Sequence, residues 1–224
     1  MQSTTTVKSD TQIQQEVLEE LKWDSRVKET DIGVTVRHGV VTLTGTVSSY
    51  DEKISAQEAA HRVEGVLDVA NDIEVVVPAL MSRTDAEIAE AVRRALEWDV
   101  TVPDERIKST VSNGWVTLEG TVNLLRERID AERAVRRLAG VRGVTNLIAV
   151  SPSIEPEELR RMIEEALERR AKREADRIQI ELKDGVVALS GRVYTWREKR
   201  AIIGIVSHAP GVREVIDELR IVPY

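Results

Sequence analysis

Apolar positions along this chain change period at regular intervals, and the same succession of periods is read three times. Ile13, Val17 and Leu21 recur every fourth residue, as do Ile88, Val92 and Leu96, and again Leu159, Ile163 and Leu167. That spacing predicts an amphipathic helix with a single apolar stripe. Ser9-Asp10, Thr84-Asp85 and Pro156 with its two following glutamates supply cap and first-turn residues at the three starts. The period then drops to two: Ile32, Val34 and Val36 alternate with polar residues, His38-Gly39 interrupts, and Val41, Leu43 and Val47 alternate on the return. Asn113-Gly114 and Asp184-Gly185 occupy the same interruption in the other copies, and an Asx-Gly pair between alternating strands predicts a two-residue hairpin turn.

A two-residue turn sets residue 36 opposite 41, 34 opposite 43 and 32 opposite 45, so the apolar members share a face and Thr35, Thr42, Thr44 and Thr46 share the other. Gly45, with Gly120 and Gly191, falls on the apolar side opposite isoleucine, where a missing side chain is expected to let a helix approach. A second helix follows, with Ala56, Ala59, Ala60 and Val63 matched by Ala131, Ala134, Val135 and Leu138 and by Ile202, Ile205, Val206 and Ala209. Gly65, Gly140 and Gly211 stand where a helix end favours a left-handed residue. A last strand contains Ile73 and Val75, Ile148 and Val150, Leu219 and Ile221. The glycines of each copy are spaced by 6 and 20 residues, and each copy runs on to Asn71, Asn146 or Asp217. These Asx residues are expected between helix and strand, bonding their own backbone. The reading is an α+β protein of three tandem α-β-β-α-β modules, residues 8–77, 83–150 and 154–223. Each is a small three-stranded sheet with two helices on one face, mixed if the last strand is reached by a right-handed crossover.

The module resembles the BON domain (bacterial OsmY and nodulation). The resemblance rests on the hairpin Gly39–Val47 with Gly65–Asn71, and on its copies Gly114–Val122 with Gly140–Asn146 and Gly185–Val193 with Gly211–Asp217. It covers nearly the whole chain. It implies a non-enzymatic protein of the envelope or of a stress response that binds phospholipid surfaces or client proteins, or, in one cytoplasmic type, senses potassium. The chain departs from those patterns in having no secretory signal, no lipid-attachment cysteine and no LysM partner domain.

Composition narrows this further. There is no cysteine, so no disulfide braces these small units. Met1 to Ser9 lacks the apolar run of a secretory signal, which leads to a cytoplasmic expectation, or a periplasmic one if a signal was removed. The net charge of −7 lies in the first repeat, where 7 basic residues face 14 acidic ones in 1–77, against 11 and 11 in 78–150 and 14 and 14 in 151–224. An acidic chain of this kind is not expected to bind nucleic acid.

Candidate chemistry is sparse. His38, His61 and His208 occupy unmatched positions and read as surface or partly packed residues, and Asp24, Glu29 and Asp31 lack calcium-loop spacing. No cofactor or metal is expected, and the ion-responsive alternative would hold potassium on backbone carbonyls. The chain has four tryptophans, three tyrosines and no phenylalanine. Trp23 and Trp98 hold equivalent places after the first helix, where the third repeat has Arg169, and are expected to close over the small core. Trp196 aligns with Tyr50 and Leu125. The third repeat places Ile203 and Gly204 where the others have Gln57-Glu58 and Glu132-Arg133, which widens the apolar arc of its second helix. Tyr194, Trp196, Arg197, Lys199, Arg200 and Ile203, with Arg192 nearby, therefore form the candidate contact for an anionic phospholipid surface or client protein. Packing of the same arc between repeats or in a homo-oligomer is the reading the sequence favours over membrane or client contact.

Overall fold

The computed structural model describes residues 8–151, 158–159, 161–163, 165 and 178–222. The first module runs α1 (Asp10–Trp23), β1 (Ile32–Arg37), β2 (Val40–Val47), α2 (Tyr50–Arg62) and β3 (Asp68–Val75). The second repeats it as α3 (Asp85–Trp98), β4 (Ile107–Ser112), β5 (Trp115–Val122), α4 (Leu125–Arg136) and β6 (Gly143–Val150). In the third, the described residues around Leu159 and Ile163 are helical, followed by β7 (Ile178–Lys183), β8 (Val186–Val193), α5 (Trp196–Ser207) and β9 (Glu214–Ile221). Leu167, Arg169 and the Pro156 helix start lie outside the described residues.

Each sheet places the return strand of its hairpin in the middle, in the orders β1-β2-β3, β4-β5-β6 and β7-β8-β9. The hairpin register is the one the turn length dictates: Val36 faces Val41, Val34 faces Leu43 and Ile32 faces Gly45. β3 and β6 then join β2 and β5 in parallel, so the sheets are mixed. Both residues of each turn have positive φ, 51° and 76° at His38-Gly39, 52° and 78° at Asn113-Gly114 and 51° and 78° at Asp184-Gly185. That conformation matches the twist of the strands and explains the Asx-Gly pairs.

The first-turn aspartates do more than start helices. Ser9 caps α1 reciprocally with Gln12, and Thr84 caps α3 with Glu87. The next residue reaches sideways to the hairpin: the His38 and Gly39 N–H groups donate to Asp10 at 2.8 and 2.9 Å, and those of Asn113 and Gly114 donate to Asp85 at the same distances. The two backbone bonds hold the Asp10 carboxyl below its ordinary range. Helix start and hairpin tip are thereby fastened to each other. In the third repeat the position equivalent to Asp10 and Asp85 is Pro156, which has no carboxylate to offer.

The core lies under the sheet face shared by the two helices. Ile13, Val17 and Leu21 of α1 and Ala56, Ala59 and Ala60 of α2 are buried with Val41, Leu43, Val47 and Ile73. Fully burying a side chain such as Leu43 or Ile73 contributes roughly 1.5–3 kcal/mol. A unit of this size has few of them, so each is a large share of its stability.

Two expectations are corrected. Gly45 does not make room for a helix. Its φ is +118°, and a Cβ there would overlap the carbonyl oxygen of Asp31, at the end of the short 3-10 turn Glu29–Asp31. Gly120, at φ +146°, meets the Arg106 carbonyl in the same way. Asn71 and Asn146 lie inside β3 and β6, not before them. Asn71 Oδ1 accepts from the Ile73 N–H at 3.3 Å, the local bond expected, while Nδ2 donates to the Lys53 carbonyl at 3.1 Å and to Gln57 Oε1 at 3.2 Å. Asn146 repeats this with Ile148, Arg128 and Glu132, tying the outer strand to α4. Asp217 keeps the local bond to Leu219 and, as a carboxylate, has no N–H for the helix carbonyl.

Gly45→Ala and Gly120→Ala should each cost about 1–3 kcal/mol, because a side chain meets both a disfavoured φ and a fixed carbonyl. Gly204→Ala, inside α5 with nothing within 4 Å of the added carbon, should be neutral or stabilising by about 1 kcal/mol. Urea unfolding of the three variants checks this, and equal losses at all three positions would contradict it.

Candidate functional site

Trp196 opens α5, after the end of β8. Its indole is half-buried against the core of the first module and stacks on His61 of α2, with ring centroids 3.8 Å apart and an interplanar angle of 19°. Lys199, one helical turn on, places Nζ 5.0 Å from the centre of the indole. One face of the predicted contact residue is therefore occupied from within the chain. Tyr194 and Ile203 are half-buried, while Arg197 and Arg200 are exposed.

His61 is 9% exposed. Burial is the main reason that its pKa falls from the ordinary 6.5 to about 4; Arg200 and Lys199 push the same way, and Asp68 and Glu58 oppose them. Nε2 of His61, Nε1 of Trp196 and Oγ of Ser55 are buried with no hydrogen-bond partner among the described residues. A neutral imidazole fits this setting better than a charged one. His38 sits in the first hairpin turn, and exposed His208 places Nδ1 2.6 Å from the Gly204 carbonyl oxygen. None of the three histidines is paired with a nucleophile among the described residues.

Asp24 and Asp31, after α1, are engaged by basic side chains. Asp24 bonds Arg26 and Arg62, each at 2.8 Å, and the Arg26 guanidinium foremost holds its carboxyl well below the usual carboxylate range. Asp31 pairs with Lys28 at 2.6 Å. Among the described residues no group of three His, Cys, Asp or Glu is placed to hold a metal ion. Nor is any described helix long and apolar enough to cross a membrane.

Trp23 and Trp98 are where the sequence reading fails most clearly. They are not lids: their exposures are 85% and 83%. The cause is helical phase. Each stands two residues beyond the last buried leucine, Leu21 or Leu96, and two residues turn a side chain about 200° around the axis, away from the core. The signal was in the sequence, in a spacing overridden by the usual preference of Trp for burial. Val100, two residues past Trp98, is also exposed, so the second module carries an apolar tip.

Residues 9–77, 84–152 and 157–223 each match the family described as "BON domain". Over 124 residues the chain is 32% identical to osmotically-inducible protein Y of Escherichia coli (strain K12), a match covering 54% of this chain and 62% of that relative's length. Two solved chains of CdsD, a structural protein of the type III secretion system of Chlamydia trachomatis, align over 94% and 96% of this chain and 92% and 100% of their own. Their identities are 12% and 10%, with TM-scores of 0.27 and 0.25, too low to carry an argument.

The His61 contact makes a pH prediction. The pKa is depressed in the folded state, so between pH 6.5 and about 4 the unfolded chain binds a proton that the folded one refuses. Stability contributed here is complete above pH 6.5 and is lost as pH falls through that window. His61→Phe keeps a stacked ring and removes the titration, so the difference in unfolding free energy between wild type and variant should shift in favour of the variant from pH 7 to 4.5. A pH-independent difference would contradict the assignment.

Proposed function

The chain belongs to the BON-domain family, and on that premise we propose that it is a non-enzymatic, stress-associated binding protein that attaches to phospholipid surfaces through Trp23 and Trp98. The observation that carries this reading is that two equivalent helices end in an exposed indole. Indole has an apolar body and one polar N–H, the combination that suits the headgroup boundary of a bilayer. Burying a side chain of this size is worth roughly 1.5–3 kcal/mol, so one indole attaches weakly. A second attachment on the same chain is intramolecular once the first is made, and raises avidity without a new kind of contact. The association with stress rests on the osmotically inducible relative.

Charge separates the two contacts. The first module carries the excess acid and is repelled by anionic headgroups, whereas the second is balanced. Loss of Trp98 should therefore cost more than loss of Trp23 on anionic vesicles, and the two should cost the same on zwitterionic ones.

Flotation with vesicles tests the reading. Wild type should rise with the vesicles, and the double variant Trp23→Ser/Trp98→Ser should stay below while melting at the wild-type temperature. A double variant that floats like wild type would sink the assignment of these residues. A wild type that never floats but keeps an unfolding protein in solution would replace the lipid with a client protein.

A further inference from the structure

The three sheets share a layout but not an edge. β3, β6 and β9 are the outer strands, each next to the central strand of its own sheet. β3 carries Asp68, Asp72 and Glu74, and β9 carries Glu214, Asp217, Glu218 and Arg220, whereas β6, Gly-Val-Thr-Asn-Leu-Ile-Ala-Val, has neither an ionisable side chain nor a proline. Position by position the contrast is sharper. Leu147 stands where the other modules have Asp72 and Glu218, and Ala149 where they have Glu74 and Arg220. Leu147 is 58% exposed and Ala149 is also exposed. Charges on an outer strand are a standard means of preventing a sheet from pairing with another chain. The first and third modules have that protection and the middle one lacks it.

Side chains from neighbouring elements hold the strand at several positions. Trp115 lies across Gly143, where a Cβ would overlap its ring, and donates from Nε1 to Thr145 Oγ1 at 2.7 Å. Asn146 fastens the inner side of β6 to α4. At the C-terminal end Arg213 Nε donates to the Val150 carbonyl at 3.1 Å, which closes that one position. Among the described residues no fourth strand pairs with β6.

We propose that β6 is a homodimerisation edge, at which the β6 strands of two copies pair antiparallel into a continuous six-stranded sheet. A second copy is the occupant that the charge pattern favours. A twofold contact sets a strand against itself, so the uncharged β6 meets an uncharged partner. The same contact through β3 would bring Asp72 against its own copy with a Glu74 close by on either side, and like charges facing across a sheet are destabilising. A register centred on Leu147 sets it against its counterpart and Thr145 against Ala149, covering the exposed leucine. A single strand pair buries less than the roughly 1,200 Å² of a stable complex, so the dimer forms in a concentration-dependent way.

Sedimentation equilibrium of the full chain tests this without any lipid, and so stands apart from the flotation result. Wild type should show a monomer–dimer equilibrium. Leu147→Asp and Ala149→Glu, each importing the first module's residue, should weaken it about tenfold or more while leaving the melting of the monomer unchanged. A wild type that stays monomeric to its solubility limit would overturn the proposal, as would variants that dimerise with the wild-type constant. A monomer whose β6 amides gain exchange protection only when an unfolded client is added would assign the edge to a foreign strand, and would equally overturn it.

Discussion

The first two modules depend on a pair of hydrogen bonds between a helix start and a hairpin tip. A carboxylate in the first turn of α1 or α3 accepts both N–H groups of a left-handed two-residue turn. The turn fixes the register of the hairpin, and the register decides which face of the sheet is apolar. The carboxylate then fixes where the helix meets that face. A slip of one residue would put Thr42 and Thr44 into the core and Leu43 into water. A module this small has no other core to compensate, so the clamp and the turn residues constrain everything that follows.

Much of this was legible in the sequence because it is periodic. The stripe of Ile13, Val17 and Leu21, the alternation of the hairpin and the Asx-Gly turns follow from the repeat of helix and strand, and the structure places them accordingly. What was not legible depends on direction and distance in space. The reason for Gly45 is the carbonyl of a short 3-10 turn whose path no periodicity records. The second bond of Asn71 runs back 18 residues to the Lys53 carbonyl in α2. The stack of Trp196 on His61 joins residues far apart in the chain, so no local spacing shows which surface the indole meets. The phase of Trp23 and Trp98 is readable from their two-residue offset from Leu21 and Leu96, against the general tendency of tryptophan to be buried.

The modules keep one frame and vary what lies outside it. The first has the excess acid, an arginine-bound aspartate and an exposed indole; the second is balanced in charge, with an exposed indole and an uncharged outer strand. The third contributes Trp196 to the first and has lost both the clamp aspartate and the asparagine amide. Repetition with divergence of this kind lets binding chemistry change at positions that carry little of the core. The glycines that recur in all three modules stand at positive φ, and so report on the backbone geometry of the shared frame.

The most direct measurement is amide hydrogen exchange at the three turns, read by NMR at Gly39, Gly114 and Gly185. A carboxylate that accepts these N–H groups must slow their exchange, and the third repeat has Pro156 in place of that carboxylate. The account predicts protection at Gly39 and Gly114, faster exchange at Gly185, and a Gly39 amide that exchanges like Gly185 once Asp10 is replaced by alanine. Equal protection at all three glycines, or a Gly39 amide indifferent to Asp10→Ala, would contradict it.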